Sequence, residues 1–414
     1  MAETLQLSRD TKVYVRDFDT TLTGANNSNT YWEVPVLDGF AFSQGTETTE
    51  ITLTEAADSN NRSRRGRLAF NTALAPVEWS ITTYVRPFKG VAGRTNTVGG
   101  FVDNVSGVTH AVEEPLWAYM VLGAGDTFQA NTGAANTRQA GSTWGSSANG
   151  VWSNTTFLEV DFDRSNKTAL RNFELIFAMS STSNSAALDT VYRVTDAVVN
   201  AVTIDFDIEG IAQLQWSGFG RTIASSNAMP TGSFTSANTI SEAVNSTNSF
   251  IRNRLTTANL STTANAYGAD GSTSKFYNLI LTGGSITIDN GITYLTPEEL
   301  GKVNIPLGHV TGTRSVSGTM TCYLDDDKDA NSSGALFRNM TSNTSLARNS
   351  FNLLFSVGGA SSPKVEFLLP RAHLEIPTHS IDDVIGLEVN FNALPSSISN
   401  TDEAVIRYYG LTPV

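Results

Sequence analysis

Asp325-Asp326-Asp327-Lys328-Asp329-Ala330-Asn331 sets carboxylates at alternate positions, as a loop that wraps oxygen ligands around calcium does. The sixth position of such a loop needs glycine for its sharp turn and holds Ala330. The twelfth needs a bidentate glutamate and holds Leu336. The run reads as a solvated acidic turn between a strand and a helix. His373 and His379, near Asp382 and Asp383, are the other metal-ligating types. Six residues of one strand span about 20 Å, too far for two ligands of one ion. They read as structural, and no metal is expected.

Nucleophilic and phosphate chemistry leave no clearer trace. Gly218-Phe219-Gly220 lacks the third glycine of a dinucleotide fingerprint and follows an alternating strand, so it reads as a turn. The chain carries no nucleophile elbow, phosphate-binding loop or zinc spacing. Neither enzymatic activity nor a cofactor is expected. Cys322 is the one cysteine, which excludes an intrachain disulfide framework.

Arg62-Ser63-Arg64-Arg65-Gly66-Arg67 is the one dense basic cluster in a chain of net charge −13 and pI near 4.8. It reads either as a charged tip that docks on the acidic surface of a neighbouring copy or as a solvated hairpin tip. No aromatic residues interleave with these arginines as a stacking platform for nucleic acid requires. Gripping DNA requires cations against phosphates. The acidic balance therefore implies that DNA, if met, is repelled or slides, although solubility is the plainer account of that balance.

The elements that position these residues are mostly strands. Phe40 and Phe42, then Ile51 and Leu53, alternate with polar neighbours, as do Trp79, Ile81, Thr83 and Val85, and less regularly Phe157 and Val160. Such period-two patterning predicts half-buried antiparallel strands. Ile204, Phe206 and Ile208 share one face opposite Asp205, Asp207 and Glu209. Leu387, Val389 and Phe391 likewise oppose Glu388, Asn390 and Asn392. Each such strand has a dry face and a wet face of acids or amides.

Helical signals are few. Residues 113–123 have acids first, then Pro115, and Gly123 at the end, which predicts a short self-capped helix. Residues 332–340 place Leu336-Phe337 where the first stretch has Leu116-Trp117. Residues of about 124–155 are rich in Gly, Ala, Ser and Asn around Trp144 and Trp152, a loop long enough to be functional or ordered by a partner. Residues 250–255 begin a strand that leads to 276–281.

The segments repeat in order. Residues 172–177 and 201–218 match residues 350–355 and 376–393 position by position in apolar and polar character. A unit this long is a domain rather than a solenoid turn, and 414 residues suffice for two cores. The expected organisation is a first domain over 1–220, a Ser/Thr/Asn-rich linker over 221–245 and a second domain over 246–414. Each reads as a mainly β sandwich or barrel with one short flanking α-helix, related by a pseudo-two-fold repeat. No apolar run reaches the length of a membrane helix. The polar, acidic start at residues 1–6 is unlike a secretory signal, so synthesis and folding in a cytoplasm are expected.

Residues 65–84, with Arg65-Gly66-Arg67, Phe70-Asn71-Thr72 and Ala75-Pro76-Val77-Glu78-Trp79, carry a resemblance that continues in Ile208-Glu209-Gly210 and Trp216-Ser217-Gly218. It is closer still in residues 281–297, in Val303-Asn304-Ile305-Pro306-Leu307-Gly308, in Ile376-Pro377-Thr378 and in Asp382-Asp383-Val384-Ile385-Gly386. Along almost its whole length the chain resembles the two-domain tail tube proteins of long-tailed siphophages, the T-five-like group. It departs where an immunoglobulin-like decoration would follow Arg407-Tyr408-Tyr409-Gly410, and in a longer 124–155 loop.

The resemblance implies a late structural virion protein, assembled in the host cytoplasm and resident in the tail. Three subunits would close a ring of six quasi-equivalent domains, and rings would stack into the tube that carries the genome across the host envelope. Its implied partners are other copies of itself, the tape measure protein, the tail terminator and tip proteins, and double-stranded DNA in loose transit. Asp205, Asp207, Glu209, Gln213, Gln215, Asp289, Glu388, Asn390 and Asn392 are the expected lumen lining; an outer-surface position is the alternative. Arg62, Arg64, Arg65 and Arg67 are the expected contacts between subunits or rings. A decorative virion protein or adhesin using the 124–155 loop on a receptor or carbohydrate is a second reading. A cell-wall hydrolase is a weaker third.

Overall fold

The structure, a computed structural model, describes residues 6–17, 30–51, 59–60, 68–89, 109–123, 150–153, 156–162, 169–181, 190–227, 233–234, 249–262, 276–300, 303–325, 332–342, 350–381, 384–395, 397–398 and 400–412. The first half holds β1 (Gln6–Asp17), β2 (Thr30–Glu33), β3 (Ala41–Ile51), β4 (Leu68–Tyr84), β5 (Pro87–Lys89), β6 (Thr109–Ala111) and helix α1 (Glu114–Val121). It continues with β7 (Gly150–Ser153), β8 (Leu158–Asp161), β9 (Phe173–Ser181), β10 (Thr190–Phe206), β11 (Gln213–Gly220) and β12 (Thr222–Ser226). The second half holds β13 (Ser233–Phe234), β14 (Thr257–Thr262), β15 (Phe276–Leu279), β16 (Leu281–Asp289), β17 (Ile292–Leu295), β18 (Gly308–Thr311) and β19 (Ser315–Tyr323). Helix α2 (Ser333–Ser342), β20 (Phe351–Val357), β21 (Lys364–Leu374), β22 (Thr378–Ile381), β23 (Ile385–Ala393) and β24 (Val405–Tyr409) complete it. The fold is mainly β, as the alternation predicts.

One antiparallel sheet runs β3–β4–β11–β10–β16–β19–β23–β22. It crosses from the first half to the second where Ala201–Phe206 of β10 pair with Gly284–Asp289 of β16. The first part of β10 belongs elsewhere, between β9 and β12. Register shifts lie between Val194 and Ala197 on one side and between Val199 and Ala201 on the other, and Asp196 has a left-handed φ of 48°. An extra residue of this kind bends a strand and sharpens its twist, which lets β10 leave one sheet and enter another. β21 behaves alike: Lys364–Leu368 pair with β24, and its last residues pair with β23.

Beneath the central sheet lies one continuous apolar core that draws on both halves, from Val13 to Tyr408. Helix α1 is buried on every side, and its Trp117 meets Trp216 edge to face at 4.8 Å. Across the midline, the rings of Phe206 and Phe355 stack at 5.3 Å and Phe355 meets Phe391 at 5.6 Å. Aromatic pairs of this geometry add roughly 0.5–1.5 kcal/mol each beyond the area they bury. Asn290 is buried in the same seam, where its Nδ2 donates to the carbonyls of Met120 and Val199.

Five local expectations change, and the first is Gly218-Phe219-Gly220, expected as a turn and found inside β11. The strand expected to run through Glu209 ends at Phe206, and Ile208 is 45% exposed. Asp207 Oδ1 accepts the Glu209 N–H at 3.5 Å, and Gly210 at φ 115° turns the chain back. His373 and His379 lie on separate strands, β21 and β22, because Pro377 between them supplies no N–H to a ladder. Residues 253–255 form a 3-10 turn before β14 instead of starting a strand. Within the expected linker, Thr222–Ser226 pair with β10 as β12.

Candidate functional site

Sheet register decides which side chains share a face, because alternate residues point to opposite sides. Thr82, Gln215, Thr203, Thr287, Ser317 and Asn392 are consecutive cross-strand partners, forming a polar row across six strands. A neighbouring row joins Asp205, Ser285, Thr319 and Asn390. On the other flank Ser80, Ser217, Ala201, Asp289 and Ser315 follow one another. All of these positions are exposed or half-buried.

The opposite face of the same strands is dry. Trp79, Ile81, Leu214, Trp216, Val202, Ile204, Ile286, Ile288, Val316, Met320, Val389 and Phe391 are each 2% exposed or less. That burial fixes the register, since a slip of one residue would turn the apolar set outward. Gly318 lies under Phe391, where a Cβ would run into that ring and into the Ser285 carbonyl. Here glycine allows close approach of the two strands.

On the wet face the side chains bond to one another. Thr203 and Thr287 hydroxyls lie 2.9 Å apart at the seam between the halves, and Ser285 and Thr319 hydroxyls 3.3 Å apart. Gln215 Nε2 donates to Asp205 Oδ2 at 3.1 Å, and Asn390 Nδ2 donates to Glu375 Oε2 at 3.0 Å. Asp289 Oδ1 accepts the Gly291 N–H at 2.7 Å, which ties this carboxylate to the turn after β16. Glu388 is exposed. The strand positions on this face hold acids, amides, hydroxyls and a few neutral groups, with no Lys or Arg among the described residues of the three rows.

Of the nine expected lining residues, Asp205, Gln213, Gln215, Asp289, Glu388, Asn390 and Asn392 occupy this one face. Asp207 and Glu209 do not; both are exposed in the turn beyond β10. Arg62, Arg64, Arg65 and Arg67 lie outside the described residues, as do Asp326–Asn331 of the acidic run, Asp382, Asp383 and residues 124–149. Sequence reading passed over Glu78, an exposed acid facing Ser43 and Phe219 in the same sheet. It also passed over the hydroxyls that make up most of the face. The signal for both was present: each alternates with a buried residue of the Trp79 or Ile288 series.

The buried titratable groups brace the core. Glu113, fully enclosed at the start of α1, is pushed up to about 7 chiefly by burial, against backbone N–H contacts and Tyr408 that favour its charged form. Arg86, beside it, is lowered to about 10 by the same burial, with Glu113 pulling the other way. His110 Nδ1 and Glu114 Oε2 lie 3.0 Å apart in the same enclosure. His309 Nε2 accepts the Leu170 N–H at 3.0 Å, and burial lowers its pKa. No helix among the described residues is long and apolar enough to cross a membrane.

The central sheet thus has one wet face, one dry face and a core shared by both halves. A family described as phage tail tube protein matches residues 86–393. The chain belongs to that family. The tail tube protein pb6 of Escherichia phage T5 is 28% identical over 407 residues, spanning 98% of this chain and 76% of that protein. Among solved structures, the PVC sheath/tube terminator of an extracellular contractile injection system, in its extended state, matches at a TM-score of 0.26 and 9% identity. That match covers 55% of this chain and 99% of the other, and likeness at that level carries no argument.

Proposed function

We propose that three copies of this chain close into a ring, that rings stack into the tail tube of a virion, and that the wet face of the central sheet lines its lumen. Residues 1–220 and 246–414 then serve as two equivalent wall units, so three chains supply six. The observation that carries the reading is the polar row running unbroken from Thr82 to Asn392 across the β10–β16 seam.

The dimensions support it. The central sheet has eight strands, β3, β4, β11, β10, β16, β19, β23 and β22. Three chains joined edge to edge give a barrel of roughly 24 strands, and at about 4.8 Å each its circumference is roughly 115 Å. The backbone-to-backbone diameter is then about 37 Å before any tilt, which widens it. Inward side chains occupy about the 10 Å of a packed sheet interface, leaving roughly 27 Å, room for a DNA duplex.

The chemistry fits passage without capture. Phosphates meet hydroxyls and amides that exchange readily with water, and meet Glu78, Asp205 and Glu388 as like charges. Rows with no Lys or Arg among their described residues give the polyanion no place to release counterions and stick. The protein assembles in the host cytoplasm and works in the virion tail with tape measure, terminator and tip proteins. Negative-stain microscopy of the purified protein tests the reading: hollow filaments are expected, spontaneously or once nucleated. A product that stays monomeric or as isolated trimers under all conditions would favour a decorative or adhesive role instead.

A further inference from the structure

The β3–β4 hairpin outruns the sheet it belongs to. β4 parts from β11 at Val77, and beyond it residues 68–74 pair with residues 46–51 of β3 as a two-stranded ribbon. Two register shifts in this ladder, between Gln44 and Thr46 and between Glu47 and Thr48, bend the ribbon near its root. A lone ribbon is marginally stable in water and twists more than a wider sheet does. Its direction has to be set from outside.

Two grips meet at that root. From the first half, the side-chain amide of Gln44 bonds as the peptide group of a neighbouring strand would. Its Nε2 donates to the Arg221 carbonyl at 3.0 Å, and its Oε1 accepts the Ile223 N–H at 3.2 Å. Nε2 also donates to the Ala75 carbonyl at 3.0 Å. From the second half, Asn304 runs parallel to Ala73: its N–H donates to the Thr72 carbonyl and its own carbonyl accepts the Leu74 N–H. Ala73 is 6% exposed there, while residues 69–71 of the same strand are open to water. Arg221 joins the two grips. Its carbonyl holds Gln44, its Nε donates to the Pro306 carbonyl at 3.0 Å, and its Nη1 lies 3.5 Å from Asp196 Oδ2. Asp196 is the left-handed residue at the bend of β10, and its carbonyl accepts the Tyr294 hydroxyl at 3.1 Å. Val303, Ile305 and Leu307 are exposed. The seat of residues 303–307 therefore rests on backbone bonds, the buried Pro306 and one guanidinium.

We propose that residues 303–307 are a brace that the second half lays across the root of the first half's ribbon, with Arg221 as the residue that positions it. The brace sets the direction in which the ribbon leaves the wall. Cutting it frees the ribbon and leaves the central sheet whole, because residues 77–84 of β4 keep their pairing with β11. What the brace aims is the connection that carries Arg64, Arg65 and Arg67. That this connection meets another copy rests on the tube reading; the brace itself does not.

The test is Arg221→Met, which keeps an unbranched stem and removes both side-chain bonds. Spin labels on Thr48→Cys and Glu209→Cys, both exposed, report the ribbon against the body in the unassembled full chain; native Cys322 is buried. One narrow distance is expected with Arg221 present and a broad distribution with Arg221→Met. Hydrogen exchange of the Leu74 amide should rise about tenfold while that of Leu214 in β11 stays unchanged. Asn304→Pro, which deletes the N–H given to Thr72, should give the same two readings and serves if Arg221→Met does not fold. A distance that stays narrow, or a Leu74 amide that stays slow, in the folded variants would overturn the brace. Both readings come from single chains, so that failure leaves the tube reading standing. Absence of filaments from the unsubstituted protein would remove the tube reading and leave the brace.

Discussion

The indole Nε1 of Trp117 donates to the hydroxyl of Tyr408 at 2.5 Å, joining α1 to β24 across 291 positions of sequence. Both residues are fully enclosed. Trp117→Phe keeps an aromatic ring and removes the donor, so an expected loss of about 1–3 kcal/mol follows from the hydroxyl left without it. Tyr408→Phe should cost more, because that hydroxyl also meets Glu113. Urea unfolding of the two variants measures the order.

Glu113 makes stability pH-dependent in a known sense. Its folded pKa is held up at about 7, against an ordinary value of 4.5, mainly by burial. Protonated Glu113 therefore contributes stability that is fully present below pH 4.5 and is lost as pH rises through 7. The difference between about 7 and 4.5 corresponds to about 3 kcal/mol. Glu113→Gln, neutral at every pH, should gain on the parent protein by up to that amount between pH 4.5 and 8. Parallel unfolding curves for the two proteins across that window would show that Glu113 does not carry the slope.

Reversing charge on the wet face should change what the tube does and leave its fold intact. Asp205 and Glu388 are exposed, so Asp205→Lys with Glu388→Lys should move stability by only about 0.5 kcal/mol each. Assembled tubes of the double variant should retain short duplex DNA at low salt and release it steeply as salt rises. Tubes of the parent protein should retain none. Co-sedimentation at several salt concentrations reads both results.

Gly318 admits no side chain. Gly318→Val should cost about 3 kcal/mol, since its branches would press on Phe391 and on the Ser285 carbonyl within one sheet. A fall in Tm of several degrees, or recovery only in the insoluble fraction, is the expected outcome.

Arg64, Arg65 and Arg67 fall in the connection from β3 to β4. Changed together to Glu, they should impair ring stacking while the monomer keeps its circular dichroism spectrum. Filaments of ordinary length from this triple variant would assign the arginines to solvated surface.

Local pattern carried much of the fold. Trp79, Ile81 and Thr83 predicted β4 because burial on one face repeats every second residue. Pro115 in the first turn predicted α1, which forms with proline at that position. Periodicity misled at Ile208, where the Asp207 carboxylate and Gly210 stop a strand that the alternation alone would extend. The joint of β10 with β16 was beyond reach, since Thr203 and Thr287 are 84 positions apart and nothing local to either names the other. The face itself was legible only at its acids and amides. Thr and Ser suit both strands and turns, so their share of the wall needed the register.

A strand shared between two sheets also governs how the molecule can come apart. Because β10 pairs with β16 and β8 with β24, a cut between the halves would break two ladders at once. Each fragment would carry a raw hydrogen-bonding edge and half of a ring stack that includes Phe206 and Phe355. Melting should be all-or-none across the whole chain, and neither half should persist as a stable remnant under protease.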